Sequence, residues 1–167
     1  MKIAIISDIH DQVANLQWAL EEMRREQVEH VFALGDYCSP YIVERLGLVG
    51  VPVTAVWGNN DGDKVAMFKA VLADKNNSIH FKKGVFAEVE LAGERYFITH
   101  YPLLAENAAL SGKYRAVFYG HTHEQKKEYR GDTLTVNPGK LALYPNSLVS
   151  FAVYDSEKND VKFVRKK

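Results

Sequence analysis

Five times along this chain a short apolar run stops at a small polar motif built from Gly, Asp, Asn or His. In order these are Asp8-Ile9-His10, Gly35-Asp36, Gly58-Asn59-Asn60-Asp61, His100 and Gly120-His121-Thr122-His123. A short apolar run bounded by such residues reads as a buried strand ending in a loop. Several strands that all end this way place their polar residues on one rim if the strands run parallel. That requirement constrains the fold more than any bulk property does.

The intervening segments supply the crossovers. Lys2–Ser7 reads as the first strand, and Val13–Arg25 as a helix with Val13, Leu16, Leu20 and Met23 on one face. His30–Leu34 is the second strand, followed by a short helix through Ile42, Leu46 and Val49 after the Ser39-Pro40 break. Val51–Trp57 is the third strand, and Asp63–Lys75 a second long helix. Strand and helix alternating in this way predict a parallel sheet. The second half reads differently. Val85–Leu91 and Tyr96–Thr99 flank a hairpin turn at Ala92-Gly93-Glu94-Arg95, and a helix follows over Leu103–Leu110. Strands are predicted at Ala116–Tyr119, Gln125–Tyr129, Thr133–Val136, Leu148–Tyr154 and Val161–Val164. The expected architecture is an α/β start joined to a mostly antiparallel β finish, with two sheets face to face and helices outside. One domain over residues 1–167 is expected.

Composition excludes several classes. Lys+Arg and Asp+Glu are equal at 21 each, which leaves no footprint of a general nucleic-acid binder or a polybasic membrane anchor. Cys38 is the only cysteine, so an internal disulfide and a multi-thiolate metal site are both excluded. No apolar run approaches membrane-spanning length, and the expected compartment is the cytoplasm. The oligomeric state is left open, a homo-oligomer included.

The motif residues are metal-ligand types. Asp8, His10, Asp36, Asn59, His100, His121 and His123 supply two Asp, one Asn and four His, enough for two divalent ions. In an open α/β sheet, ligands bind beyond the carboxyl ends of the strands, where all of these residues fall. Mixed carboxylate and imidazole suits Mn, Fe, Zn, Co or Ni, whereas Mg or Ca would call for more oxygen. Asp8/His10 and His121/His123 each have i, i+2 spacing, so both members of a pair can turn toward one ion, with Thr122 pointing away. The Asp36 carboxylate has two oxygens and can bridge. Two such metals share a hydroxide and clamp a phosphate, which points to phosphate-ester cleavage.

The order D-x-H, G-D, G-N-x-D, H, G-H-x-H resembles the calcineurin-like metallophosphoesterase superfamily. The short chain without an inserted cap, and the Asn137-Pro138-Gly139 run, resemble its small YfcE-type phosphodiesterase branch, to which the retromer subunit of this fold is related. The resemblance spans about Met1 to Gly139. It implies a four-layer α/β/β/α sandwich of two mixed sheets. It also implies a first metal on Asp8, His10, Asp36 and His123, and a second on Asp36, Asn59, His100 and His121. Manganese leads the expected metals, ahead of Ni, Fe, Zn and Co. The expected reaction is attack of a metal-held hydroxide on a small-molecule or nucleotide phosphodiester, with Asp36, Asn60 and His100 as catalytic residues. The alternatives are a phosphomonoesterase or phosphoprotein phosphatase, and a catalytically weak scaffold of the same fold that binds a protein partner. Retention of the full ligand set weighs against the scaffold.

Three positions depart from the family pattern. Asn60 stands where many members carry His, and an amide donates a hydrogen bond but cannot act as a general acid. Tyr101 and Pro102 follow His100 where Gly is common, placing a large ring near the pocket. Lys140 follows Asn137-Pro138-Gly139 where Ser is usual, and it reads as a solvated lysine. Other residues carry plainer expectations. Asp61 reads either as the N-cap of the next helix or as a support for a neighbouring ligand. Asn15 reads as a local helix-start residue, Asp11 as a loop residue, and His30 and His80 as strand-edge residues. Cys38 is expected to be a small hydrophobe, with a redox-sensitive thiol as the alternative. Trp57 and Phe97 are expected in the core. The lysine pairs 82–83 and 126–127 and the basic tail Arg165-Lys166-Lys167 are expected in solvent.

Overall fold

The computed structural model of the chain describes residues 1–73, 78–143 and 148–166. Its first sheet holds β1 (Lys2–Ile6), β2 (His30–Ala33), β3 (Val53–Ala55), β4 (Ile79–Phe81), β10 (Ser150–Asp155) and β11 (Asp160–Arg165). The strand order is β11-β10-β1-β2-β3-β4. β1 to β4 run parallel, while β10 and β11 close one side antiparallel. The second sheet holds β5 (Phe86–Leu91), β6 (Glu94–Thr99), β7 (Ala116–Phe118), β8 (Gln125–Arg130) and β9 (Thr133–Pro138), in the order β5-β6-β7-β9-β8.

The layering follows from alternation along the strands. In β1, Ile3 and Ile5 point into the apolar cluster between the sheets, while Ala4 and Ile6 join a second cluster. That second cluster is shared with α1 (Val13–Arg25), α2 (Pro40–Leu46) and α3 (Lys64–Ala73) through Leu16, Leu20, Ile42, Leu46 and Met67. β2 divides in the same way, with Phe32 facing the other sheet and Val31 and Ala33 facing the helices. In the second sheet Tyr96, Ile98, Ala116 and Phe118 face inward. Phe97, Val117 and Tyr119 meet Ala105, Ala108 and Ala109 of α4 (Pro102–Leu110) in a third cluster. Three apolar layers of this kind separate four layers of structure, the α/β/β/α sandwich.

Several sequence expectations are corrected. The second half is mostly antiparallel as read, through β5/β6, β8/β9 and β10/β11, but β6, β7 and β9 run parallel, because α4 carries the chain across the sheet between β6 and β7. β4 has no counterpart in the sequence reading, being three residues long with an exposed His80 between Ile79 and Phe81. His30 is not at a sheet edge. It is buried in interior strand β2, where Nε2 bonds Thr54 Oγ1 at 2.9 Å, and burial lowers its pKa to about 4. The predicted second long helix ends at Ala73 among described residues; Asp74 and Lys75 lie outside them. Two residues of the basic tail are hydrogen-bonded, Arg165 while still exposed and Lys166 while half-buried. The Arg165 guanidinium donates twice to Gln125 Oε1, at 3.0 and 2.8 Å, and Lys166 Nζ donates to Asn15 Oδ1 at 2.7 Å. Lys167 lies outside the described residues.

Candidate metal centre

Each motif leaves the carboxyl end of β1, β2, β3, β6 or β7, and the loops are stitched together by backbone bonds. Asp8 N–H donates to Gly35 O at 3.2 Å, while Ile9 and His10 N–H both donate to Asp36 O at 3.0 Å. Gly120 N–H donates to His100 O at 3.2 Å. Two glycines permit this closeness. A Cβ on Gly58 would lie 2.1 Å from Asp36 Oδ1 and 2.5 Å from its backbone nitrogen, and one on Gly120 would lie 1.9 Å from Ser7 Oγ.

The residues form a pit graded from floor to rim. Asp8, Asp36 and His100 are buried, His10 and His123 are half-buried, and Asn59, Asn60 and His121 are exposed. On one side His123 Nε2 lies 3.2 Å and His10 Nε2 3.8 Å from Asp8 Oδ1, with His10 Nε2 3.4 Å from Asp36 Oδ2. On the other, Asn59 Oδ1 is 2.9 Å from both His100 Nε2 and His121 Nδ1, and those two nitrogens are 3.3 Å apart. His100 Nε2 is 3.5 Å from Asp36 Oδ2. Asp36 therefore stands between the two groups.

These donors fit divalent ions. Metal–ligand bonds of about 2.0–2.2 Å to N and O would separate neighbouring donors by roughly 3 to 3.6 Å. Ligating atoms of Asp8, His10 and His123 lie within 4.8 Å of one another, as do those of Asp8, Asp36 and His100. Asp8 Oδ1 is buried and makes no hydrogen bond among the described residues, while Asp8 Oδ2 accepts from His121 N–H at 3.0 Å. His100 Nδ1 lies 2.8 Å from Leu34 O; a carbonyl only accepts, so Nδ1 carries the proton. In the neutral ring Nε2 is then a lone pair facing the acceptors Asp36 Oδ2 and Asn59 Oδ1. A cation relieves that convergence. Charge at the floor follows the same logic. Burial pushes the Asp8 carboxyl up, but the imidazoles of His10 and His123 outweigh it and hold the group below the usual carboxylate range. Asp8 in turn raises the pKa of His10.

The supporting residues were only partly visible in the sequence. Asp61 is a support, not a helix cap. Its carboxylate accepts from the N–H groups of Asp36 (3.1 Å), Tyr37 (2.7 Å), Cys38 (3.1 Å) and Gly58 (2.7 Å), tying the second loop to the third. Asp63 instead accepts from Ala66 N–H at the start of α3, at 2.9 Å. Asn15 lies in the first turn of α1, as read, but it is buried and its amide donates to distant Leu141 O at 2.7 Å. Residues Leu141 and Ala142 in turn donate to Ser7 O and Asp8 O at 3.2 and 2.8 Å. Asn137 clamps the last loop by donating to Gly120 O (2.8 Å) and Thr122 Oγ1 (3.0 Å), which turns Thr122 away from the imidazoles. No role for Asn137 was readable from the sequence, because its partners lie 15 and 17 residues away.

Of the three departures, Asn60 donates its backbone N–H to Asp36 Oδ1 (2.8 Å) and its side-chain amide to Oδ2 (2.7 Å). Tyr101 packs edge-on to His100 at 5.3 Å and lies 5.9 Å from His121. Lys140 is buried rather than solvated, with Nζ 3.5 Å from His123 O. Cys38 Sγ lies 3.7 Å from His10 Nδ1, and burial, with Asp11 and Asp36 adding to it, pushes the thiol up to about 12. That keeps it protonated and counts against a redox-sensitive thiol.

One backbone feature spans the cluster. Asp8, His10, Asp36, His121 and His123 all adopt left-handed conformations, with φ of 54°, 46°, 58°, 72° and 62°. Side chains rarely take this conformation, and such residues gather at functional sites.

Comparison with known proteins agrees with this geometry. Over 164 residues the chain is 35% identical to Phosphodiesterase MJ0936 of Methanocaldococcus jannaschii, covering 97% of each. It is 28% identical to Phosphodiesterase YfcE of Escherichia coli, covering 86% of this chain and 80% of that one. A solved structure described as a novel archaeal phosphodiesterase superposes with a TM-score of 0.90 at 32% identity, covering 99% of this chain and 100% of that one. Residues 1–159 match the calcineurin-like phosphoesterase superfamily domain, and the chain belongs to that family, in its YfcE-type branch.

Proposed function

We propose that this chain is a phosphodiesterase dependent on two divalent transition metals. Asp8, His10, Asp36 and His123 would hold one, and Asp36, Asn59, His100 and His121 the other. The observation that carries this reading is the gathering of six other donor residues from four strand ends around Asp36, with Asp8 Oδ1 buried and without a hydrogen bond among the described residues. The two most similar relatives named above are both phosphodiesterases, which supports a diester as substrate, either a small molecule or a nucleotide derivative. When bound, the metals supply Lewis acidity toward phosphoryl oxygens and bring the pKa of water toward neutrality.

The chain's own residues set the rest. Asn60 fixes both oxygens of Asp36, so the shared carboxylate keeps one orientation. The Leu34 carbonyl fixes the tautomer of the neutral His100 ring, in which Nε2 carries the lone pair. Asn60 supplies no general acid, which favours diesters with good leaving groups over monoesters. Manganese is the first metal to try, then Ni, Fe, Zn and Co, because the donor set is mixed imidazole and oxygen. The domain is taken as a single unit without a cap, acting in the cytoplasm; no helix among the described residues is long and apolar enough to cross a membrane.

Hydrolysis of a chromogenic diester across this metal series tests the reading. Turnover should appear with at least one metal and fall about 10³-fold or more in Asp36→Ala and His123→Ala, as loss of a charge-stabilising group does at comparable sites. Metal binding without turnover of any diester would sink it.

A further inference from the structure

Diester cleavage places charge on the departing oxygen. This inference rests on the phosphodiesterase reading and asks what meets that charge. A hydrogen-bond donor aimed at the oxygen lowers the barrier, the more so as the leaving group becomes more basic. The backbone N–H and one amide N–H of Asn60 are given to Asp36, which ties that side chain to the shared carboxylate. Thr122 is turned toward Asn137, and the Cys38 thiol, a weak donor, lies against His10 on the opposite side.

Tyr101 remains. Its half-buried ring stands at 90° to His100 and 45° to His121, the two imidazoles that share Asn59 Oδ1. Its hydroxyl makes no hydrogen bond to a described residue. The backbone beneath it is fixed. Tyr101 N–H donates to Thr99 Oγ1 at 3.2 Å, and Tyr101 O accepts from Ala105 N–H at 3.1 Å in the first turn of α4.

We propose that Tyr101 is a catalytic residue of this chain: its phenolic O–H donates a hydrogen bond to the leaving oxygen of a diester seated against the Asn59 side of the cluster. As the oxygen of the attacking water bonds to phosphorus and the ester P–O bond breaks, that bond's electron pair stays on the leaving oxygen, the phenol shares the charge through its hydrogen, and the proton that ends there comes from water. A donor is thus supplied from Tyr101 at the start of α4, while Asn60 holds Asp36.

The test compares methyl 4-nitrophenyl phosphate with methyl phenyl phosphate, which differ only in the basicity of the leaving group. In Tyr101→Phe, kcat for the phenyl ester should fall about tenfold or more, and for the nitrophenyl ester by no more than about threefold, while calorimetric metal binding keeps its wild-type isotherm. Tyr101→Leu should shift the ratio in the same sense. Equal losses on both esters, no loss on either, or a shifted ratio in Leu but not in Phe would overturn the proposal. A wild-type protein that binds metal but cleaves neither ester removes the phosphodiesterase reading as well. Wild-type cleavage with an unchanged ratio in Phe removes only the role of Tyr101.

Discussion

The Asp8 half and the Asn59 half of the cluster share Asp36 and otherwise differ in what they are made of. The Asp8 half is anionic and set low in the pit. Asp8, His10 and His123 all have left-handed backbones, and Asp8 Oδ1 has no hydrogen bond among the described residues. The Asn59 half holds no carboxylate of its own and brings two imidazoles to one amide oxygen, with Asn59 and His121 at the exposed rim. One half leaves unsatisfied charge for a cation to offset, while the other is pre-arranged but open to water. Charge and burial should therefore give the Asp8 half the tighter metal, and exposure should give the Asn59 half the exchangeable metal and the substrate.

Removing ligands from each side breaks or sharpens that contrast. Wild-type calorimetry should resolve two metal steps. Asp8→Asn should erase the tighter one, and Asn59→Ala only the weaker one; each loss should exceed the roughly 10–100-fold that removal of an outer partner produces. Loss of the tighter step in Asn59→Ala would reverse the assignment. A smaller effect, felt by both halves, is expected from Asp61→Asn. Its carboxylate holds the loops of Asp36 and Gly58 together, so both affinities should fall by about 10–100-fold. If only one step weakens, Asp36 is not their common hinge.

The smallest effect on the cluster should come from His30, which lies at the far end of β2. Its folded pKa is about 4 against 6.5 for a free imidazole, because burial penalises the charged ring. The unfolded chain therefore binds more protons between those values. Stability should be intact above pH 6.5, fall by up to about 3 kcal/mol as pH drops to 4, and level off below. In His30→Gln the denaturant midpoint should lose that part of its pH slope, and the metal isotherm at neutral pH should not change. A slope unaltered by the substitution would place the titrating group elsewhere.

What the sequence made legible follows from range. The strand-end motifs were readable because each is a local event, an apolar run of period two stopping at Gly, Asp or His. The parallel half was readable because amphipathic helices such as Val13–Arg25 separate its strands. β4 was missed because three residues around an exposed His80 carry almost no periodic signal. Lys140 was misjudged, and the long-range bond of Asn15 went unread, because a polar residue's distant partners leave no local signal. The partner of Asn15 is 126 residues away at Leu141, and Lys140 reaches across to His123. Asp61 was half-legible. Its place beside a helix start suggested a cap, whereas its four backbone partners, three of them in the Asp36 loop, decide for the site.

The left-handed conformations at Asp8, His10, Asp36, His121 and His123 set a limit on how this protein can be improved. At each of them glycine would relax the backbone by about 1 kcal/mol and delete a donor. Selection for heat resistance and selection for turnover thus pull the same five codons in opposite directions. Screens that reward folding alone will drift toward a sturdier protein with an emptied centre. A hardened catalyst has to draw its gains from the helix faces and the α1–α3 layer, leaving the strained rim as it is.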